Sequence, residues 1–249
     1  MLKAGGAILS RCVRRCQHPS GNEMRPMKKL IRRIDNAISS RLLNLEDAMI
    51  DRRICGQSLV PYVPSIYRDD KNGIGGTGTQ STHYAFLKRI FSDVRLTEAD
   101  AFMDVGCGKG RVLAFLLKEK RPCRLYGIEH NEEVAKIALD WSERYEQIQL
   151  VIGDALTHDY NPYTVLSSAR SFLKQTFCDF VEHLERTMTH PVRLVFWYGQ
   201  EYYCDLDNRP GWEMLKRETV GRILGVRVGH GYSIWSFDPG KRHENNAHG

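Results

Sequence analysis

The stretch DVGCGKGRV, Asp104 to Val112, sets three glycines at alternate positions behind a carboxylate. Gly106, Gly108 and Gly110 lie between a short apolar run and a helical pattern, where backbone without Cβ atoms lets a ligand approach closely. About 20 residues further on, Glu129 ends a second apolar run, where a carboxylate can accept hydrogen bonds from both hydroxyls of a ribose. A third run ends in GDAL, and Asp154 there can accept from the exocyclic amine of an adenine. These residue types in this order suit an adenine nucleoside. Two chemistries use one: hydride transfer from a dinucleotide and group transfer from a sulfonium.

Spacing separates the two. A dinucleotide turn reads G-x-G-x-x-G, whereas this chain reads G-C-G-K-G with Asp104 two residues before the first glycine. An acid at that mouth repels a pyrophosphate and attracts an α-ammonium and a sulfonium. A nicotinamide oxidoreductase is therefore disfavoured.

The elements that must position these residues alternate. Strand-like runs at 101–105, 124–129, 148–154, 163–169 and 192–199 are separated by helical patterns, which predicts right-handed βαβ units. The tail from Trp212 switches to shorter alternating segments with glycine turns, as expected for a closing antiparallel pair. The expected fold is α/β: a Rossmann-like, seven-stranded, doubly wound sheet, mostly parallel with an antiparallel C-terminal edge, plus an N-terminal helical extension. In that extension Leu30, Ile31, Ile34, Ile38, Leu42, Leu45 and Met49 recur at steps of three and four, predicting a helix whose apolar stripe packs on the main domain. Pro61, Pro64 and four glycines between 73 and 78 then predict an irregular lid. A further helix in STHYAFLKRIF is expected to use Ser81 or Thr82 as N-cap, with Tyr84, Leu87, Ile90 and Phe91 on one side. The expected organisation is a basic, disordered leader at 1–26, the helix and lid at 27–78, the main domain at 79–239, and a frayed tail at 240–249.

Composition narrows the class. No apolar run reaches the roughly 20 residues that span a bilayer, so the chain reads as soluble and cytoplasmic, with no membrane span. The Arg-rich opening, without an acid before Glu23, leaves organellar targeting open. The net charge of +6 is concentrated there: residues 1–60 hold 12 Lys/Arg against 5 Asp/Glu, a surplus of +7 that leaves the rest at −1. The body is thus a poor phosphate-tracking surface, although the arm can still meet nucleic acid. Seven cysteines without paired CxxC spacing indicate reduced thiols. Cys12, Cys16 and His18 lack a fourth ligand at finger-like spacing, so no metal is expected.

DVGCGKGRVL, GIEHNEEV and VIGDAL, in this order, resemble motifs I, II and III of the class I S-adenosylmethionine-dependent methyltransferases over roughly residues 80–240. DRRICGQ, STHYAFLKRIF and GCGKGRV further resemble a branch distantly like the histone-lysine methyltransferases that lack a SET domain. The resemblance implies S-adenosyl-L-methionine as cofactor. It implies that Asp104, Gly106 and Gly108, with Cys107 and Gly110 in the same turn, line its methionine end. Glu129 would hold the ribose, Asp154 and Ala155 would frame the adenine, and His130 would pack beside it.

In-line displacement at a sulfonium is accelerated by alignment and exclusion of water, without an obligatory base. Tyr84, Arg170 and Tyr198 are the candidates beside the transferred methyl group. YNPY at 160–163 is similar to an Asn-Pro-Pro-aromatic motif of amine-methylating enzymes, but polar residues precede it. Asn161-Pro162 is therefore expected to be a turn entering the fourth strand. ARSF (169–172) then occupies the post-strand position where relatives often carry Asn-Pro-Phe. The expected activity is methyl transfer to an unidentified acceptor, a protein side chain or a small molecule. An RNA methyltransferase using the basic arm and a cofactor-binding scaffold without turnover are the alternatives.

Overall fold

The structure, a computed structural model, describes residues 24–199, 202, 206–223 and 226–241. The leader up to residue 23, with Cys12, Cys16 and His18, and the tail from residue 242 lie outside the described residues. Among the described residues no helix is long and apolar enough to cross a membrane, and no cluster of metal-ligating side chains occurs.

The expected sheet forms. Strands β1 (Arg68–Asp69) and β2 (Ile74–Gly75) make a small hairpin; β3 (Ala101–Val105), β4 (Arg124–Glu129), β5 (Ile148–Ile152), β6 (Val165–Ser168), β7 (Val192–Trp197), β8 (Trp212–Ile223) and β9 (Val226–Phe237) form one sheet. Their order is β5-β4-β3-β6-β7-β9-β8; the first five are parallel, and β9 and β8 close the edge antiparallel. β3 and β6 are buried almost throughout, polar residues included, because helices cover both faces. On one face α2 (Tyr84–Phe91) and α3 (Arg111–Lys118) pack Phe91 and Phe115 against Phe102 and Trp197. On the other, α5 (Lys174–Thr187) stacks Phe177 on Phe196 at 4.6 Å. Between β4 and β5, α4 (Glu132–Ser142) starts at Asn131, whose side chain accepts from Glu133 N and Val134 N.

The chain order reverses between β3 and β6, and the crevice at their carboxyl ends is where a doubly wound sheet binds its ligand. As expected, Asn161 and Pro162 form a turn before β6. The Asn161 amide donates to Thr187 O and its oxygen accepts from Thr189, so this residue joins α5 to the sheet.

Two local expectations need correction. α2 begins after His83, with no side-chain cap; Ser81 Oγ instead donates to Leu59 O, and Thr82 Oγ1 accepts from the Trp197 indole. The long helix α1 (Met24–Cys55) does pack on the domain, but with the opposite face. Leu43, Asp47, Asp51 and Cys55 are buried, while Ile38, Leu42, Leu45 and Met49 are 54–63% exposed. The physical reason is electrostatic: buried Arg111 draws the two aspartates inward, and they fix the rotation of the helix.

Candidate functional site

A cavity of about 500 Å³ opens at the switch point and brings Asp104, the glycine turn, Glu129 and Asp154 together. Asp104 is the last residue but one of β3 and is 2% exposed. Parallel register sets Ser167 of β6 beside it, and the Ser167 hydroxyl donates to Asp104 Oδ1 at 2.6 Å. Among the described residues nothing donates to the other carboxylate oxygen. Burial pushes this carboxyl up to about 7, the Ser167 hydroxyl opposing and the nearby Glu129 charge adding to the rise. A buried acceptor oxygen facing a cavity suits a cationic ligand group such as an α-ammonium.

Glu129 ends β4 and braces the turn: its carboxylate accepts from Gly108 N at 2.8 Å and from Asn131 N at 2.9 Å. Each oxygen retains capacity for a further donor, as ribose hydroxyls would supply. Gly106 and Gly108 stand at φ +70° and +57°, in the left-handed region, and a Cβ on either would come within 2.3 Å of Ser171 Cβ or 2.6 Å of Thr79 Cγ2. The turn is thus pressed against the strap that roofs the cavity. Asp154 lies exposed at the far end, beside buried Ala155 and exposed His130. Gly110, at φ +83°, starts α3 and does not line the cavity. Cys107 does; burial first, then the Asp104 and Glu129 carboxylates, raise its thiol well above the ordinary value, so it stays neutral.

The expected lid is a strap fastened at several points. Val63 and Thr79 exchange backbone hydrogen bonds, which closes the strap on itself. Thr77 N donates to Ser171 O, Leu173 N to Gly75 O, and Gln175 N to Gly73 O, while Gly75 N donates to Thr176 Oγ1. The glycine-rich segment therefore adds to the loop after β6, and ARSF serves as its anchor: Ser171 Oγ donates to Val105 O, and Arg170 O accepts from Thr77 Oγ1. Lys109, 3% exposed, donates to Pro61 O from the glycine turn. Burial, aided by Arg111 and opposed by Asp51, brings this amine down to about 8.

Behind the turn lies a polar cluster that sequence reasoning missed. Arg111, 3% exposed, meets Asp51 through Nη2 at 2.5 Å and Nε at 3.1 Å, and Asp47 through Nη1 at 3.1 Å. Asp51 also accepts from Leu59 N, and Asp47 from Tyr84 N and His83 Nδ1. One guanidinium thus joins α1, the start of the strap and the start of α2 to the glycine turn. The available signal was the i, i+4 pair Asp47 and Asp51 on the side of the helix away from its apolar stripe.

Tyr84, Arg170 and Tyr198 do not line the cavity. Tyr84 is 4% exposed, and its hydroxyl donates to Asp51 at 3.0 Å, which makes it part of the cluster. Tyr198 packs on Phe86 and His230, and Arg170 takes φ +52° at the strap anchor. Their expected placement beside the transferred methyl group is corrected: the short post-β6 turn points Ser171 and Phe172, not Arg170, into the cavity.

Comparison with known proteins agrees with this geometry. The family model described as Histone methylation protein DOT1 matches residues 78–181. The chain is 34% identical over 83 residues to ribosomal RNA small subunit methyltransferase A of Mycoplasma genitalium, a match covering 33% of this chain. The chain spans about a third of that relative's length, 31%. An RNA methyltransferase from Salinibacter ruber, solved with S-adenosyl-L-homocysteine, superposes with a TM-score of 0.50 at 16% identity, covering 64% of this chain and 94% of that one. MtNAS in complex with MTA and tNA superposes with a TM-score of 0.50 at 15% identity, covering 62% and 60%. The strand order is the fold of these solved structures, and the family match across the glycine turn makes the chain similar to the S-adenosylmethionine-dependent methyltransferases.

Proposed function

We propose that the cavity holds S-adenosylmethionine and transfers its methyl group to an acceptor entering beneath the strap, a protein side chain or a small molecule. The observation that carries this is the pair Asp104 and Glu129, on adjacent strand ends, facing one cavity across the glycine turn. When bound, the cofactor supplies an electrophilic methyl on sulfur. Asp104 holds the ammonium, Glu129 the ribose and Asp154 the adenine amine, while the strap excludes water. The two cations lining the cavity, Lys109 and Arg111, are engaged by Pro61 O and by Asp47 and Asp51. That arrangement favours an uncharged acceptor group over a phosphate-bearing one, and the histone methylation family match favours a protein side chain.

Incubating the chain and a Glu129→Ala control with methyl-labelled cofactor and a cell extract tests this reading. Label is expected in the protein or small-molecule fraction with the wild type only; label in neither fraction would overturn it. A second reading, an RNA acceptor, is favoured by the match to the ribosomal RNA enzyme and by the basic N-terminal segment. It requires label in RNA, and RNA affinity that falls steeply with salt and is lost on deleting residues 1–35.

The fit of the turn gives a sharper expectation. Gly108→Ala places a Cβ against Thr79 at a positive φ, so the strap must shift. Calorimetry with S-adenosylhomocysteine is expected to show affinity falling at least about tenfold, with stability reduced by about 1–3 kcal/mol. Unchanged affinity would show that the turn does not touch the cofactor.

A further inference from the structure

We infer that the outward face of α1 is the interface with a second copy of this chain. At 100° per residue, Ile38, Leu42, Leu45 and Met49 fall within about 60° of one another on the side opposite Asp47 and Asp51. All four are more than half exposed. In sequence the same stripe runs back through Ile34, Ile31 and Met27, and its spacing repeats every 11 residues: 27 and 38, 31 and 42, 34 and 45, 38 and 49. An 11-residue period, about 3.67 residues per turn, keeps a seam in register with a neighbouring helix when the two wind about each other in a shallow right-handed supercoil. The stripe is narrow, as in a coiled-coil seam; a helix lying in a lipid surface presents a wider apolar face.

Length and charge both suit self-association. The helix runs 32 residues, about 48 Å, long enough for a paired seam, and the four exposed apolar side chains lie along about 18 Å of it. The seam is flanked by exposed Glu46 and, two turns on, Arg53 on one side and by exposed Arg41 and Arg52 on the other. In a parallel pair the flank of one helix meets the opposite flank of its partner, so Glu46 faces cations. The inner face is already committed to Arg111, so pairing leaves the cavity untouched.

Sedimentation velocity of the full chain between about 1 and 100 µM is expected to show a dimer, and Leu42→Glu/Leu45→Glu is expected to run as a monomer with unchanged melting and unchanged S-adenosylhomocysteine binding. Should the double variant melt early, Met49→Lys alone carries the same test. A wild-type monomer throughout this range, including one that sediments with phosphatidylserine vesicles, would overturn the inference. So would a dimer that survives the substitutions.

Discussion

Asp104→Asn is expected to lose S-adenosylhomocysteine affinity by about 10- to 150-fold, the size of a charge-assisted hydrogen bond, while the folded protein becomes more stable. The two effects share one cause. The carboxyl is fully buried with one partner, Ser167, and its folded value of about 7 lies above the ordinary 3.8. A raised acid binds its proton more tightly in the fold than in the unfolded chain. Its penalty is therefore absent below about pH 4, grows as pH rises towards 7, and is constant above. Against wild type, Asp104→Asn should gain about 1–3 kcal/mol above pH 7, with the gain vanishing near pH 4. Cofactor binding runs the other way, because an ammonium needs the ionised carboxylate. Wild-type affinity should weaken towards tenfold per pH unit below about 7, and the variant should show no such slope. Urea melts and calorimetry across pH 5.5–7.5 check both; a variant of lower stability with unchanged affinity would refute the role of Asp104.

Arg111→Leu is expected to produce the largest loss of stability of any single change considered, about 3–5 kcal/mol, or a drop of about 6–20 °C in Tm. Removing the guanidinium leaves Asp47 and Asp51, 1% and 0% exposed, without the cation that compensates them. Adding Asp51→Asn should recover part of the loss, a coupling of about 1–3 kcal/mol in a double-mutant cycle. Because Arg111 also holds Leu59 and His83 through the two aspartates, the variant should be cut by protease between residues 56 and 62 where the wild type resists. A loss under about 1 kcal/mol would show that the cluster does not hold α1 in place.

The sheet was legible because its strands are long apolar runs of nearly standard length: Ala101–Val105 and Arg124–Glu129 match expectation to the residue. The glycine turn and its carboxylates were legible because close backbone approach demands specific residues at set intervals. What escaped notice depends on long-range partners. Ser167 reads as a polar interruption of a strand until register sets it beside Asp104. Periodicity assigned the apolar stripe of α1 to the core, since a pattern of hydrophobic residues shows a face without showing what it meets; two buried aspartates decided the rotation. Tyr84 drew attention as a hydroxyl near the first motif, yet the same hydroxyl was satisfied by Asp51 on a helix 33 residues earlier.

Asp104, Glu129 and the glycine turn are proposed to form a cofactor site for methyl transfer. Calorimetric titration with S-adenosylhomocysteine and, separately, NADH tests it most directly, on wild type and on Glu129→Ala. One-site binding of S-adenosylhomocysteine is expected, weakened at least about tenfold by Glu129→Ala, with no binding of NADH. Binding of NADH in preference, or an affinity indifferent to Glu129, would contradict it.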